Sequence, residues 1–260
     1  MRQEYKYLVD LENIDELRKY IKPFVIGDDH IRIGKSNEYT VRSIYFDNLY
    51  LDEYHKKLSG LYHRRKVRIR GYNIPQDDSM AFLEIKRKID MSIFKNRAPI
   101  MYYDLEKLLH TGHIDKYIQK RGDFPAASEN ASRFLYHYFR FQLKPVVLVM
   151  YEREAFINKF DHSERITFDK FLRSSSYPRI SDLYSEKNTK RTLNRDFILE
   201  VKSNKGFPAW MKPIINRFGL KREALSKYTM SIDTNTIFPN NYSKCNVVCF
   251  ENGTKSYNFT

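Results

Sequence analysis

Two cysteines occur in 260 residues, Cys245 and Cys249, both near the C-terminus. A lone C-x-x-x-C pair cannot supply the four ligands of a structural zinc site, and in a chain expected to be cytosolic both read as ordinary thiols. Long apolar runs are missing too. The longest, Val146 to Tyr151, falls far short of the ~20 residues needed to span a bilayer. Arg2, Glu4 and Lys6 interrupt the first ten residues and no apolar stretch follows, so no signal peptide is read there. The chain has no G-x-S-x-G elbow, no P-loop and no G-x-G-x-x-G. That removes elbow-type serine hydrolysis and any nucleotide site built on a glycine-rich backbone cradle. Repeats, low-complexity tracts and an obvious linker are absent as well. These absences lead us to expect a soluble, cytoplasmic protein.

What is present is positive charge and aromatic bulk. The formal net charge is +14, hydrophobic residues make up 42%, and there are 20 Tyr and 18 Phe. The length suits one large domain or two small ones, and the aromatics favour β-rich packing. Period-2 alternation with β-branched or aromatic enrichment predicts strands near residues 4–9, 39–46, 61–72, 80–88, 146–157, 163–168 and 196–203. Helices are few. Asn13 with Glu16 makes a candidate capping box opening a helix through Ile14, Leu17 and Ile21, stopped by Pro23. Residues 104–110, 131–141 and 208–218 also read as helical, the last with Gly219 as its cap, and 48–58 is a weaker candidate. The segment from 119 to 130 reads as a loop.

The charges are arranged. In RRKVRIRGY (64–72), Arg64, Lys66, Arg68 and Arg70 occupy alternate positions, so a strand would set them in one row about 7 Å apart. Three strands carry Glu-x-Lys: Glu4 with Lys6, Glu84 with Lys86, and Glu200 with Lys202. An ordinary half-exposed strand turns its charges to water. The repetition suggests instead that the apolar faces meet an outer helical layer, while the charged faces line a closed barrel holding a ligand. Buried charges need partners or an ion. Cations mixed with a few carboxylates suit a polyphosphate chelated to a divalent metal. Arg153, Arg165 with Thr167 and Asp169 on its face, and Lys227 add to the set. Nucleic acid is the competing reading of a basic, aromatic-rich chain, but carboxylates on the same strand faces argue against it, and no nucleic-acid partner is expected. His110 and His113 have helical spacing without a third ligand.

Taken in order, EYKYLV (4–9), SIYFDN (43–48), RRKVRIRGY (64–72), FLEIKRK (82–88), YEREAF (151–156), RITFD (165–169), ILEVKS (198–203) and SKY (226–228) resemble the VTC domain. That is the polyphosphate polymerase domain of the CYTH, or triphosphate tunnel metalloenzyme, superfamily. The resemblance implies an α+β fold: a closed antiparallel β-barrel tunnel with a charged interior and helices outside, over residues 1–238, followed by a tail of unknown role at 239–260. It implies transfer of the γ-phosphate of ATP onto inorganic polyphosphate with Mn²⁺ or Mg²⁺. Arg68, Arg70, Arg153 and Arg165 would be catalytic, and Lys6, Lys86, Lys202 and Lys227 would bind phosphate. Glu200 would hold the metal, helped by Glu4 and Glu84. Arg64 and Lys66 match the family less firmly and count as supporting charge. Residues 89–99, with Lys95 and Arg97, read as a basic loop at one tunnel mouth. Larger eukaryotic relatives carry a phosphate-sensing and a membrane domain that this sequence lacks, so export would need a separate membrane protein. A tunnel hydrolase of tripolyphosphate or nucleoside triphosphates, and a non-enzymatic polyphosphate binder, remain open.

Overall fold

The structure is a computed structural model that describes residues 3–28, 38–76, 78–90, 92–119 and 122–237. The 239–260 tail and both cysteines lie outside the described residues. Ten strands form one sheet: β1 (Gln3–Asp10), β2 (Val25–Gly27), β3 (Tyr39–Asp47), β4 (Arg64–Tyr72), β5 (Met80–Ile89), β6 (Ser92–Met101), β7 (Lys144–Asn158), β8 (Arg165–Ser176), β9 (Lys190–Arg191) and β10 (Asp196–Ser203). Their order is β1-β10-β8-β7-β3-β4-β5-β6, with β2 on β7 and β9 on β8, and all pairs are antiparallel. The helices are α1 (Ile14–Ile21), α2 (Asp52–Leu58), α3 (Leu105–Thr111), α4 (Ile114–Tyr117), α5 (Ala127–Arg140), α6 (Met211–Arg217) and α7 (Lys227–Thr234).

Strand alternation sorts the side chains onto two faces. On the outer face, Val67, Ile69, Leu83, Ile85, Ala98 and Ile100 are buried with Leu105, Leu108 and Phe134 of α3 and α5. Farther along the sheet, Tyr7, Phe168, Leu199 and Val201 pack with Leu17 and Ile21 of α1 and Met211 and Ile214 of α6. Gly71 belongs to the outer face. A Cβ there would meet the Tyr184 hydroxyl at 2.6 Å, so only glycine lets that ring lie against β4. α7 differs from the other helices by packing on the inner face, where Tyr228 and Ile232 join Tyr45, Val147, Val149, Tyr151 and Ile198.

Several sequence expectations need correction. The sheet is curled but not closed: β1 and β6 are its two ends and do not pair. The backbone of β1 is instead met by coil, with the Glu223 N–H donating to the Lys6 carbonyl (2.9 Å), while the Gln119 N–H reaches the Pro99 carbonyl on β6 (3.3 Å). Pro99 has no N–H to offer a further strand, as suits an edge. The 89–99 segment is not a loop, since β6 pairs with β5 along Met80–Ile89. Asn13 makes no side-chain cap at α1; Asp10 caps the preceding turn by accepting from the Glu12 N–H (2.8 Å). α2 starts at Asp52 rather than 48, and α5 begins at Ala127, inside the segment read as a loop.

Candidate active site

The inner face gathers one row from each strand. Register sets Lys66, Lys86 and Lys95 in one row across three strands and Arg68, Glu84 and Arg97 in the next, with Arg70 beside Ser43. On the far arm, Lys6 neighbours Glu200; Glu4, Lys202 and Arg165 form a row in that order, and Arg153 neighbours Asp169. The curl brings the arms together: the Lys86 ammonium pairs with Glu4 of β1 at 2.9 Å. The arginines, lysines and glutamates proposed from the sequence as site residues lie on this face or, for Lys227, on the helix packed against it.

Two carboxylates orient the arginines. The Arg68 Nε donates to Glu84 (2.7 Å) and its Nη1 to the Tyr45 hydroxyl (2.8 Å). Glu84 also faces Arg70 (3.8 Å), Lys95 (3.2 Å) and Arg97 (3.3 Å). Burial alone would raise its carboxyl, yet these cations hold it well below the usual range. Asp169 takes both forks of Arg153 (2.6 and 2.8 Å) and the Lys227 ammonium at 2.5 Å. Against the opposing effect of burial, Arg153 and Lys227 bring it to about 2. Lys227 is presented by α7, which is anchored where Tyr228 donates to Asp47 (2.6 Å) and stacks on Tyr45. Arg165 pairs with Asp28.

Glu200 sits differently. Its nearest cations are Lys202 (3.4 Å), Lys6 (3.8 Å) and Arg153 (3.8 Å), none as close as Arg68 is to Glu84 or as Arg153 and Lys227 are to Asp169. Burial would raise it too, but Lys202, Lys6, Lys227 and Arg153 keep it ionised, well below the usual range. Glu4 is close enough for the two to repel. Among the described residues no three of His, Cys, Asp and Glu come together as a metal site. A hard cation here would take one or two carboxylates, Glu200 and Glu4, and complete its shell with ligand oxygens. Glu84, ringed by four cations, is poorly placed to help.

Positive charge is in surplus. Lys66 hydrogen-bonds Ser226 Oγ (2.8 Å) and has no carboxylate within ion-pair reach among the described residues. Burial, with Lys6, Lys86 and Arg68 nearby, pushes its ammonium well below the usual lysine range. Burial brings Lys202 down to about 8 even with Glu200 and Glu4 beside it. Sequence reasoning had placed Lys66 in a supporting role and Lys95 and Arg97 in a loop. The parity of the cation row was the signal for the first. Asp169 was noted on the face of Arg165, but nothing local marked it as the anchor of Arg153.

A model of the VTC domain family matches residues 1–235. The chain belongs to the VTC domain family. Among solved structures, a putative adenylyl cyclase from Hippeastrum, described as having a dominant triphosphatase activity, shares the fold. It is 11% identical, with a TM-score of 0.52, covering 90% of this chain and 97% of that one. No curated protein matches the chain. The VTC domain is thus carried here by an antiparallel sheet with helices on its outer face and α7 on its inner face, its first and sixth strands unpaired with each other. Among the described residues, no helix is long and apolar enough to cross a membrane.

Proposed function

We propose that this VTC domain is a polyphosphate polymerase that transfers the γ-phosphate of ATP onto inorganic polyphosphate. The observation that carries the reading is the unbalanced inner face: Lys66, its neighbours Lys6 and Lys86, and Lys202 near Lys86 converge without enough carboxylates to neutralise them. Like charges so gathered favour an anion among them, and alternate-residue spacing on β4 matches a linear anion better than a compact one. Phosphoryl transfer needs alignment and charge stabilisation more than covalent chemistry. Arg68 and Arg153, each fixed by a carboxylate, are pre-oriented guanidinium forks, with Arg70 and Arg165 completing the grip on the triphosphate. Lys6, Lys86, Lys202 and Lys227 hold the remaining phosphates. Glu200, with Glu4, would hold Mn²⁺ or Mg²⁺, which neutralises charge on the phosphates when bound. A terminal oxygen of the acceptor chain attacks, so no side-chain nucleophile is required. The protein would work in the cytoplasm, at the inner face of a membrane where a separate membrane protein takes up the polymer. Nucleic acid is not the partner in this reading, in which the carboxylates on the same face serve a metal chelated to a polyphosphate, a role that a groove for a nucleic-acid backbone does not need.

A triphosphatase on the same face is the second reading, favoured by the activity ascribed to the Hippeastrum protein of like fold. Purified protein is given ATP and Mn²⁺ with and without a short polyphosphate primer, and ADP, free phosphate and long chains are followed together. ADP matched by lengthening polymer supports the polymerase. ADP matched by free phosphate supports the hydrolase and overturns the polymerase.

A further inference from the structure

We propose that the end of the curl formed by residues 58–64 and the β5–β6 hairpin docks directly on an anionic lipid bilayer. Two adjacent segments there, the end of α2 with the residues that follow it and the joined ends of β5 and β6, present large apolar side chains to solvent. Leu58, Leu61 and Tyr62 are 59%, 50% and 63% exposed, and Ile89, Ile93 and Phe94 are 40%, 43% and 47% exposed. The segments touch: His63 Nε2 lies 3.1 Å from Asp90, and the Lys88 ammonium lies 5.4 Å from the centre of the Tyr62 ring. Exposed apolar groups clustered in this way mark an interaction site rather than scattered surface residues.

Cations lie between and behind these side chains. Arg64 and Lys88 are cross-strand partners, and Lys57 is near enough to both for their charges to depress it after burial. None of the three has a carboxylate within ion-pair reach among the described residues; Asp90 faces His63. Apolar tips with a basic surround fit a bilayer, whose acyl boundary takes the tips while anionic headgroups meet the cations. A protein partner fits less well, because lysine is depleted from protein interfaces. A polyphosphate chain would use the cations and leave the six apolar side chains unexplained. The inner cation row of β4 ends at Arg64, so docking would set that end of the curl against the membrane.

The test is co-sedimentation with vesicles of phosphatidylcholine alone and with added phosphatidylserine. The expected result is at least tenfold tighter binding to the anionic vesicles. Tyr62→Ser/Phe94→Ser should weaken that binding about tenfold while tripolyphosphate affinity in solution stays unchanged, which also reports an intact fold. Lys57→Glu/Lys88→Glu, at the patch, should weaken vesicle binding at least as much, whereas Lys19→Glu/Lys212→Glu, on α1 and α6, makes the same change of charge elsewhere and should bind like wild type. Equal loss in the two charge-reversal variants would reduce the effect to general electrostatic adsorption and overturn the proposal. Protein that stays in the supernatant with both vesicle types overturns it as well, and would leave the patch to an acidic protein surface.

Discussion

The two faces of β4 set the same nine residues two different problems. Outward, Val67 and Ile69 are buried among aliphatic and aromatic neighbours, and what matters there is volume. Inward, Lys66, Arg68 and Arg70 stand among other cations, and what matters is charge that the protein leaves only partly balanced. The outer face holds the sheet to its helices. The inner face opposes its own folding, and under the proposed function an anion completes it. Stability and function therefore rest on opposite sides of one strand.

The sharpest way to break this contrast is on the inner face. Arg68→Ala should lower triphosphate turnover about 10²–10³-fold, the usual cost of one pre-oriented donor to a developing charge, and steady-state kinetics read it. The matching outer change, Ile69→Ala, should cost about 2–5 kcal/mol of stability with turnover per folded molecule retained, as urea unfolding beside activity would show. An outer-face variant that lost activity without losing stability would defeat the division between faces. Lys66→Met should do what no outer change does: raise the melting temperature, by removing a cation without a carboxylate partner, and weaken triphosphate binding about tenfold or more.

A gentler test uses pH. Lys202 is brought to about 8, so it is charged below that pH and neutral above it. Triphosphate affinity should fall as pH rises through about 8. Stability of the free protein should move the other way, because a lysine lowered by folding favours the native state as pH rises from about 8 toward its unfolded value. Titration calorimetry and thermal melts across that range check both signs. The smallest effect is expected from Glu4→Gln. It removes the partner of Lys86, a partly exposed pair worth under about 1 kcal/mol, and unfolding at low and high salt would measure it.

Much of this was legible in the sequence because alternation decides which face a side chain takes. The seven expected strands are β1, β3, β4, β5, β7, β8 and β10, and the Glu-x-Lys pattern showed which of their sides was charged. β6 escaped because Lys95, Arg97 and Pro99 look like loop residues, although an edge strand tolerates all three. α7 escaped because it buries Thr229 and Ser231 as well as Tyr228 and Ile232, leaving no clean apolar stripe to read. Closure could not be read at all. A pattern assigns residues to faces, but whether two edges meet depends on curl and register summed over the whole sheet, and here coil at Glu223 takes the place of a pairing strand.

That gap between β1 and β6 changes how a long guest can enter. A closed ring admits a chain only by its end, so threading time grows with chain length. Here the two arms meet through the Lys86–Glu4 ion pair rather than through a ladder of backbone hydrogen bonds. The enclosure is a clasp, and under the proposed function a clasp would receive the middle of a polymer from the side.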